Sequence, residues 1–322
     1  MSVAVRTTRA AHPRERLSDR AGDWLIRGLC AAACLIALAA MVAIAYKLIT
    51  GAHLAFSKFG LHFLTTSTWK PNFLQFGALP FIYGTAMTSG VALVLALPIG
   101  VAIGLYLSLL APQRLRGVIG PLVEMLAAIP SVILGLWGIL VLAPFIRDRE
   151  PAVHGALGFV PLFGRPQTVG ASVFTAALIL TIMIIPIIAS ISRDLFLTVP
   201  DELQDGAVAL GATKWEVVRG VILPTTASGV VSAALLGLGR ALGEAIAVAQ
   251  VIGGGNLAHT SLFETGDTMA SRIALQFPGA LSKLHFASLY YLAVILLALG
   301  LVSNLVAQLI ARRFSAERSL LR

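Results

Sequence analysis

"DGAVALGATKWEVVRGVILP", Asp205 to Pro224, is a polar island in a chain that is otherwise largely apolar. Just before it, Pro200 suits a first helical turn and Asp201 and Glu202 suit a helix start, while Gly211 is a good stop. Thr213 with Glu216 three residues on forms a capping box, opening a second short helix that runs to Leu223. Leu203, Ala207, Leu210, Trp215, Val218 and Ile222 leave room for an apolar stripe on the pair. The two helices are too short and polar to cross a membrane, and unsupported helices of this length are marginal in water. They therefore pack on something, either the membrane underside or a cytoplasmic subunit.

What lies on either side of the island sets the fold class. Of the 322 residues 57% are hydrophobic and only 12% charged, too apolar for a water-soluble globule. A spanning helix needs roughly 20 mostly apolar residues, and six stretches qualify, at 25–49, 80–110, 118–146, 168–192, 225–252 and 286–311. Open strands cannot satisfy their backbone groups in lipid, so these read as six transmembrane helices of an all-α integral membrane protein. The formal charge of +9 could suggest nucleic acid, but the cations sort by side of the membrane. Fifteen fall in the N-terminal tail, the loops around Arg114 and Arg193–Arg219, and the C-terminus; eight fall in the alternate loops; Arg240 alone is mid-span. The positive-inside rule then puts both termini in the cytoplasm. The first apolar run is too long for a signal-peptide core, so it reads as an uncleaved span, with Cys30 and Cys34 as small packing residues inside it.

Residues 1–24 form a basic cytoplasmic tail, and 25–79 the first transmembrane helix and an external loop. Residues 80–311 form a transmembrane domain with its cytoplasmic loop at 193–224, and 312–322 a second cytoplasmic tail. The external loop mixes aromatics with Pro71, Gly77 and Pro80, so it folds back on the membrane with Trp69 and Phe73 near the interface. It is either an interfacial plug or a docking surface for an external partner. In the third span Pro130 kinks or unwinds the helix, Ser131 is placed to cap freed carbonyls, and Glu124 lies near the cytoplasmic end.

The fifth span carries a row of small residues at every fourth position, Gly229, Ala233, Gly237, Ala241, Ala245 and Ala249, which permits close helix approach. Arg240 and Glu244 form the neighbouring row, about 60° round the helix. A central arginine costs about 2.5–3.5 kcal/mol on insertion scales, whereas an (i, i+4) ion pair returns only about 0.2–0.5 kcal/mol in water. Two readings stay open: a static pair that fixes helix orientation, or a pathway or gating role.

No GxxxxGK[ST], HExxH or GxSxG occurs, and the histidines are scattered. Gly266 and Asp267 faintly suggest an intramembrane aspartyl protease, but that chemistry needs paired aspartates at membrane depth. These absences argue against an enzyme.

At the fourth loop the sequence resembles the permease subunits of bacterial ABC importers. Asp205, Gly206 and Ala207 stand where the cytoplasmic EAA loop of that family has Glu-Ala-Ala, Gly211 is its fixed glycine, and Leu223 and Pro224 close it. "GLGRALGEAIAV" is similar to the GRAxGE(T)xAV segment of phosphate-import permeases, with Ala245 in place of the frequent Thr. "WKPNFLQFGALPFIYGTAMTS" and "LAAIPSVILGLWGILVLAP" look like the first external loop and third span of the PstC-type subunit rather than its PstA-type partner.

The resemblance covers residues 60–310. It implies a type I ABC importer permease fold, MetI-like, in the bacterial inner membrane, and no cofactor in this chain. ATP and Mg would be bound by a partner ATPase. The implied partners are a second permease (PstA-type), two ATPase subunits (PstB-type), an external phosphate-binding protein (PstS-type), phosphate and lipid, with no nucleic acid. It carries Arg240 and Glu244 over to positions implicated in phosphate translocation. In that reading Arg240 supplies a transient positive site, and Glu244 keeps the anion from binding too tightly. Sulfate or molybdate as the cargo, or a channel or carrier without ATPase subunits, are the alternatives.

Overall fold

The computed structural model describes residues 17–319 apart from Leu257 and His259; the expectations for residues 1–16, His259 and Arg322 lie outside it. The described residues are α-helical, with no strand among them beyond isolated bridges. In chain order the helices are α1 (Leu17–Phe59), α2 (His62–Thr65), α3 (Leu79–Leu105), α4 (Gln113–Ala127), α5 (Ser131–Trp137), α6 (Ala143–Arg147) and α7 (Glu150–Leu157). They continue as α8 (Val173–Leu197), α9 (Asp201–Ala209), α10 (Lys214–Val217), α11 (Leu223–Gly243), α12 (Ile246–Val251), α13 (Met269–Gln276) and α14 (Lys283–Ser319). Five of the described helices are long and apolar enough to cross a membrane, and α4 with the helix from Ser131 to Arg147 makes a sixth span bent by 92°. The bend falls at Pro130, as its ring and missing N–H require.

The chain divides into a unit ending at Thr50 and a second from Gly51. The first, along α1, exposes Leu29, Leu35, Ile36 and Met41 on all faces, the pattern of a helix solvated by lipid. Cys30 and Cys34 stand free on it.

The second unit is built around α8, whose Ile179, Leu180, Ile184 and Ile188 are buried. Glycines let neighbours close on it. A Cβ at Gly100 would meet Ile188, and one at Gly104 would lie 3.0 Å from the Arg193 backbone. On α11 the row Gly229, Ala233, Gly237 and Ala241 faces inward, with Gly229 against Leu195 and Gly237 against Ile188. Apolar side chains gain nothing by leaving lipid for one another, so this small-residue contact is what brings the helices together.

The row stops there, which corrects the expectation of one fifth helix over 225–252. Helix α11 ends at Gly243, Glu244 is extended (φ −73°, ψ 118°), and a separate half-helix α12 begins at Ile246. Ala245 and Ala249 therefore do not prolong the row. The cause is local: the Glu244 carboxylate accepts the Ala247 N–H at 3.3 Å, capping a new helix start in place of continuing the old one.

The external loop also differs from expectation. Trp69 is not interfacial but buried, ringed by Phe63, Phe76, Phe81 and His285, and its indole N–H donates to Gln276 Oε1 at 2.8 Å. Phe73 is exposed.

Candidate translocation site

Arg240 lies on the exposed face of α11 with Ser232, Leu236, Gly239 and Gly243, turned away from the row that packs on α8. Among the described residues its guanidinium makes no ion pair and no hydrogen bond. Glu244, partly buried at the break, does not neutralise it, because the carboxylate turns to the first turn of α12. The extended Glu244 backbone is what separates the two groups. A cavity of about 370 Å³ opens beside Arg240 between α11 and α14, walled by Leu236, Gly239 and Leu242 on one side and Gly300, Ser303 and Asn304 on the other.

The two broken spans meet. Helix α12 crosses α5 where Gly135 faces Ala247 and Gln250, and a Cβ on Gly135 would come within 2.9 Å of the Ala247 Cα. At this crossing Gln250 Oε1 is buried without a donor. Gly138 on the same side fits against Val251 and Ile179.

At the other end of α11, about 25 Å from Arg240 by helix rise, the cytoplasmic loop takes the form its sequence dictates. Helix α9 starts after Pro200 and ends two residues before Gly211, which holds φ +90°. Only glycine takes that conformation without strain. Thr213 and Glu216 form the capping box, with the Thr213 N–H donating to Glu216 Oε2 at 2.7 Å. Those hydrogen bonds hold the Glu216 carboxyl below its usual range. The second helix does not close at Leu223 and Pro224. It runs through a π turn, Val218–Ile222, directly into α11, so both residues lie inside one continuous span from Lys214 to Gly243. The π turn absorbs the backbone disturbance a proline brings.

The expected stripe is split. Val218 and Ile222 are buried, in one cluster with Phe196, Val199 and Val217, against which Ala207 packs. Leu203, Leu210 (91% exposed) and Trp215 (65% exposed) point outward with nothing over them in the single chain. Asp205 and Gly206 are exposed beside them, and a Cβ at Gly206 would meet nothing. Glu124, which the sequence left near the headgroups, reaches Arg193 at 3.2 Å and so ties α4 to the end of α8 that leads into this loop.

One polar centre escaped the sequence. Asp267, 2% exposed, lies 2.8 Å from the Arg272 Nε, off the N–H axis, so the contact is charge to charge. Arg272 Nη2 donates to Asn256 Oδ1 at 2.6 Å and the Gly255 carbonyl at 3.2 Å, and its guanidinium covers the Phe81 ring at 4.6 Å. Asp267 accepts from the Thr268 N–H and the Ser271 hydroxyl. Burial pushes the Asp267 carboxyl up against the opposing pull of Arg272, and pushes the guanidinium down. The Asp267 carbonyl sits on Gly84, where there is no room for a Cβ, and Met269 N donates to Thr85 Oγ1 at 3.0 Å. The Thr268 cap on α13 was the one local signal; Phe81, Thr85 and Gly84 come from far up the chain.

A bundle of apolar spans, two of them broken at membrane depth, with a free cation beside a cavity and a capped polar helix pair running into one span, is the architecture of a membrane transport component. Residues 96–316 match the family described as binding-protein-dependent transport system inner membrane component. The chain belongs to that family. It is 40% identical to the phosphate transport system permease protein PstC of Mesorhizobium japonicum, over 98% of this chain and 96% of that one. It is 38% identical to the PstC of Xylella fastidiosa over 94% of each, and 42% identical to that of Haemophilus influenzae over 81% and 85%. The fold is shared with a bacterial ABC transporter involved in import of the acidic polysaccharide alginate (TM-score 0.60, 18% identity, 91% of this chain and 98% of that one). It is shared also with the inward-facing MetNI methionine ABC transporter (TM-score 0.51, 21% identity, 73% and 94%). The protein is thus a multi-pass inner-membrane permease of the type I ABC importer fold, a transport component working with a binding protein.

Proposed function

We propose that this chain forms, with a second permease of PstA type, the path by which inorganic phosphate crosses the inner membrane. The likeness to relatives named as phosphate permeases supports the cargo. The observation that carries the reading is Arg240: a guanidinium with no internal counter-ion, on an exposed face of a span, beside a cavity. An unpaired cation in a span is expensive, and an arginine fork matches phosphate oxygens. Glu244 belongs to the same site, at the break that sets where Arg240 stands.

The driving force comes from elsewhere. ATP and Mg are held by two ATPase subunits of PstB type, and phosphate is delivered by an external binding protein of PstS type. Both termini lie in the cytoplasm. The segment 193–224 is the coupling loop, in which Asp205, Gly206, Ala207 and Gly211 shape the helix pair and Leu223 and Pro224 pass its motion into α11. Supporting this, Leu203, Leu210 and Trp215 make an uncovered apolar surface on a loop too polar to enter the bilayer, suited to a cleft on a soluble subunit.

The test is uptake of labelled phosphate by vesicles holding the assembled importer and its binding protein. Arg240→Gln should lower uptake at least about tenfold, the size of losing one charge-assisted contact, with the assembly intact and its ATPase activity retained. Native uptake in that variant overturns the reading.

A further inference from the structure

This inference rests on the phosphate reading above and asks what discriminates phosphate from its tetrahedral analogues. Arg240 and Glu244 are four residues apart, a spacing that in an unbroken helix lets such groups neutralise each other. Here they do not. The helix ends between them, the Arg240 donors are all unused among the described residues, and Glu244 gives Oε1 to the Ala247 N–H while Oε2 has no partner. Beside the cavity this leaves a fork that only donates and a carboxylate that only accepts.

We propose that Glu244 selects an oxyanion carrying a proton. Arg240 binds the charged oxygens, and the free Glu244 oxygen accepts the P–OH of hydrogen phosphate. Inorganic phosphate carries at least one P–OH at neutral pH, whereas sulfate and molybdate carry no proton there. Arg240, and the Ser303 and Asn304 groups on the cavity wall, can donate to all of these anions alike and so separate none of them. Glu244 is the one carboxylate on the described residues of α11 and α12, and it repels an anion that brings it no hydrogen. Sites that hydrogen-bond a substrate hydroxyl reject analogues lacking it far more strongly than apolar pockets reject a missing methylene, because a polar group is left unpaired.

The experiment is labelled phosphate binding to the full chain purified with the other subunits of its membrane assembly, in nanodiscs, without nucleotide. Unlabelled phosphate, arsenate, sulfate and molybdate serve as competitors, and the binding counted is the part lost in Arg240→Gln. Arsenate, which keeps a proton, should compete like phosphate. Sulfate and molybdate should be weaker by about 10- to 100-fold, the range of one hydrogen bond to a charged group. Glu244→Gln keeps an oxygen for the Ala247 N–H, so the break survives, but its amide donates as well as accepts. In that variant sulfate should compete within about threefold of phosphate, less than half a decade of the lost preference. Glu244→Asp keeps the carboxylate and should keep the discrimination. Sulfate competing like phosphate in the native protein, or Glu244→Gln keeping the native ratio while Arg240→Gln abolishes binding, overturns this inference alone. Phosphate binding that Arg240→Gln leaves untouched overturns the phosphate reading beneath it.

Discussion

The buried Asp267–Arg272 pair offers the sharpest energetic test of the fold. At 2.8 Å the Coulomb attraction is about 6 kcal/mol at an effective dielectric constant of 20. Desolvating the two ions offsets several kcal/mol per ion, so the intact pair adds little net stability. Breaking it is another matter. Arg272→Met leaves Asp267 buried with only the Thr268 N–H and the Ser271 hydroxyl, and should cost about 3–5 kcal/mol. Asp267→Asn should cost less, about 1–3 kcal/mol, because the guanidinium keeps Asn256, the Gly255 carbonyl and the Phe81 face. With both replaced no charge is stranded, so the double variant should melt close to Asp267→Asn, a coupling of about 2–3 kcal/mol. The assay is thermal unfolding in detergent followed by tryptophan fluorescence, for which buried Trp69 is a reporter. At about 2 °C per kcal/mol for a chain of this size, Arg272→Met should melt roughly 6–10 °C below native.

The pH dependence carries its own sign. The Asp267 carboxyl lies above its ordinary 3.8 in the folded protein. Its contribution is therefore fully present below that ordinary value and lost as pH rises through the folded one. Removing Arg272 removes the influence that opposes the rise, so acidification from neutral should recover melting temperature in Arg272→Met more than in native protein. Additive single-variant losses, or an Arg272→Met cost below about 1 kcal/mol, would show that the pair is not desolvated as the structure has it.

Three further outcomes are expected. Gly211→Pro demands φ near −65° where the chain holds +90°; the helix pair should lose its angle, leaving the protein inserted and ATPase active but uptake uncoupled, and wild-type transport would refute the coupling role. Gly135→Ala puts a methyl against the Ala247 Cα, which cannot swing aside as the Gln250 side chain can, and overpacking of this kind costs about 1–3 kcal/mol; an unchanged melting temperature would mean that α5 and α12 do not cross there. Glu150, buried in the loop after α6 with one oxygen on the Gln167 N–H and the other unpartnered, has its carboxyl pushed up by burial. Its stabilising effect is lost as pH rises through the raised value, so Glu150→Gln should melt no lower than native at pH 7.5 and with a flatter pH profile, and identical pH slopes would refute the assignment.

The spans and the cytoplasmic loop were legible in the sequence because their determinants are local or compositional. An apolar run of membrane length has few alternatives to a helix, and Pro200, Gly211 and the Thr213–Glu216 box act within a few residues of themselves. The break at Glu244 was not legible, since Ala245 and Ala249 extend the small-residue period without interruption. The deciding contacts are one carboxylate turned onto a backbone N–H three residues ahead and a crossing with Gly135, which is more than a hundred residues away. The same holds for Trp69, whose burial depends on Gln276 and His285, and for Arg272, whose ring partner is Phe81.

These misses share a cause that bears on function. Where a span is continuous, its own period places its side chains, and a charge on it is placed with the rest. Where it is broken, the neighbours decide. Arg240 was read as half of a helical pair, yet the break that leaves its charge unanswered is enforced by packing between α5 and α12. A variant that mends the break should therefore act on Arg240 without touching it. Glu244→Ala removes the cap on α12 and raises helix propensity at the joint. Alone it should still keep the break, because Gly135 and Ala247 remain in contact. Combined with Gly135→Ala, which pushes α12 off α5, it should let α11 run on. A cysteine pair placed at positions 240 and 247, spaced for one continuous helix face, then reports the outcome: crosslinking with a short reagent should appear in the combined variant and be weak in the Glu244→Ala background alone. Equal crosslinking in both would mean that the cap, and not the crossing, holds the helix open.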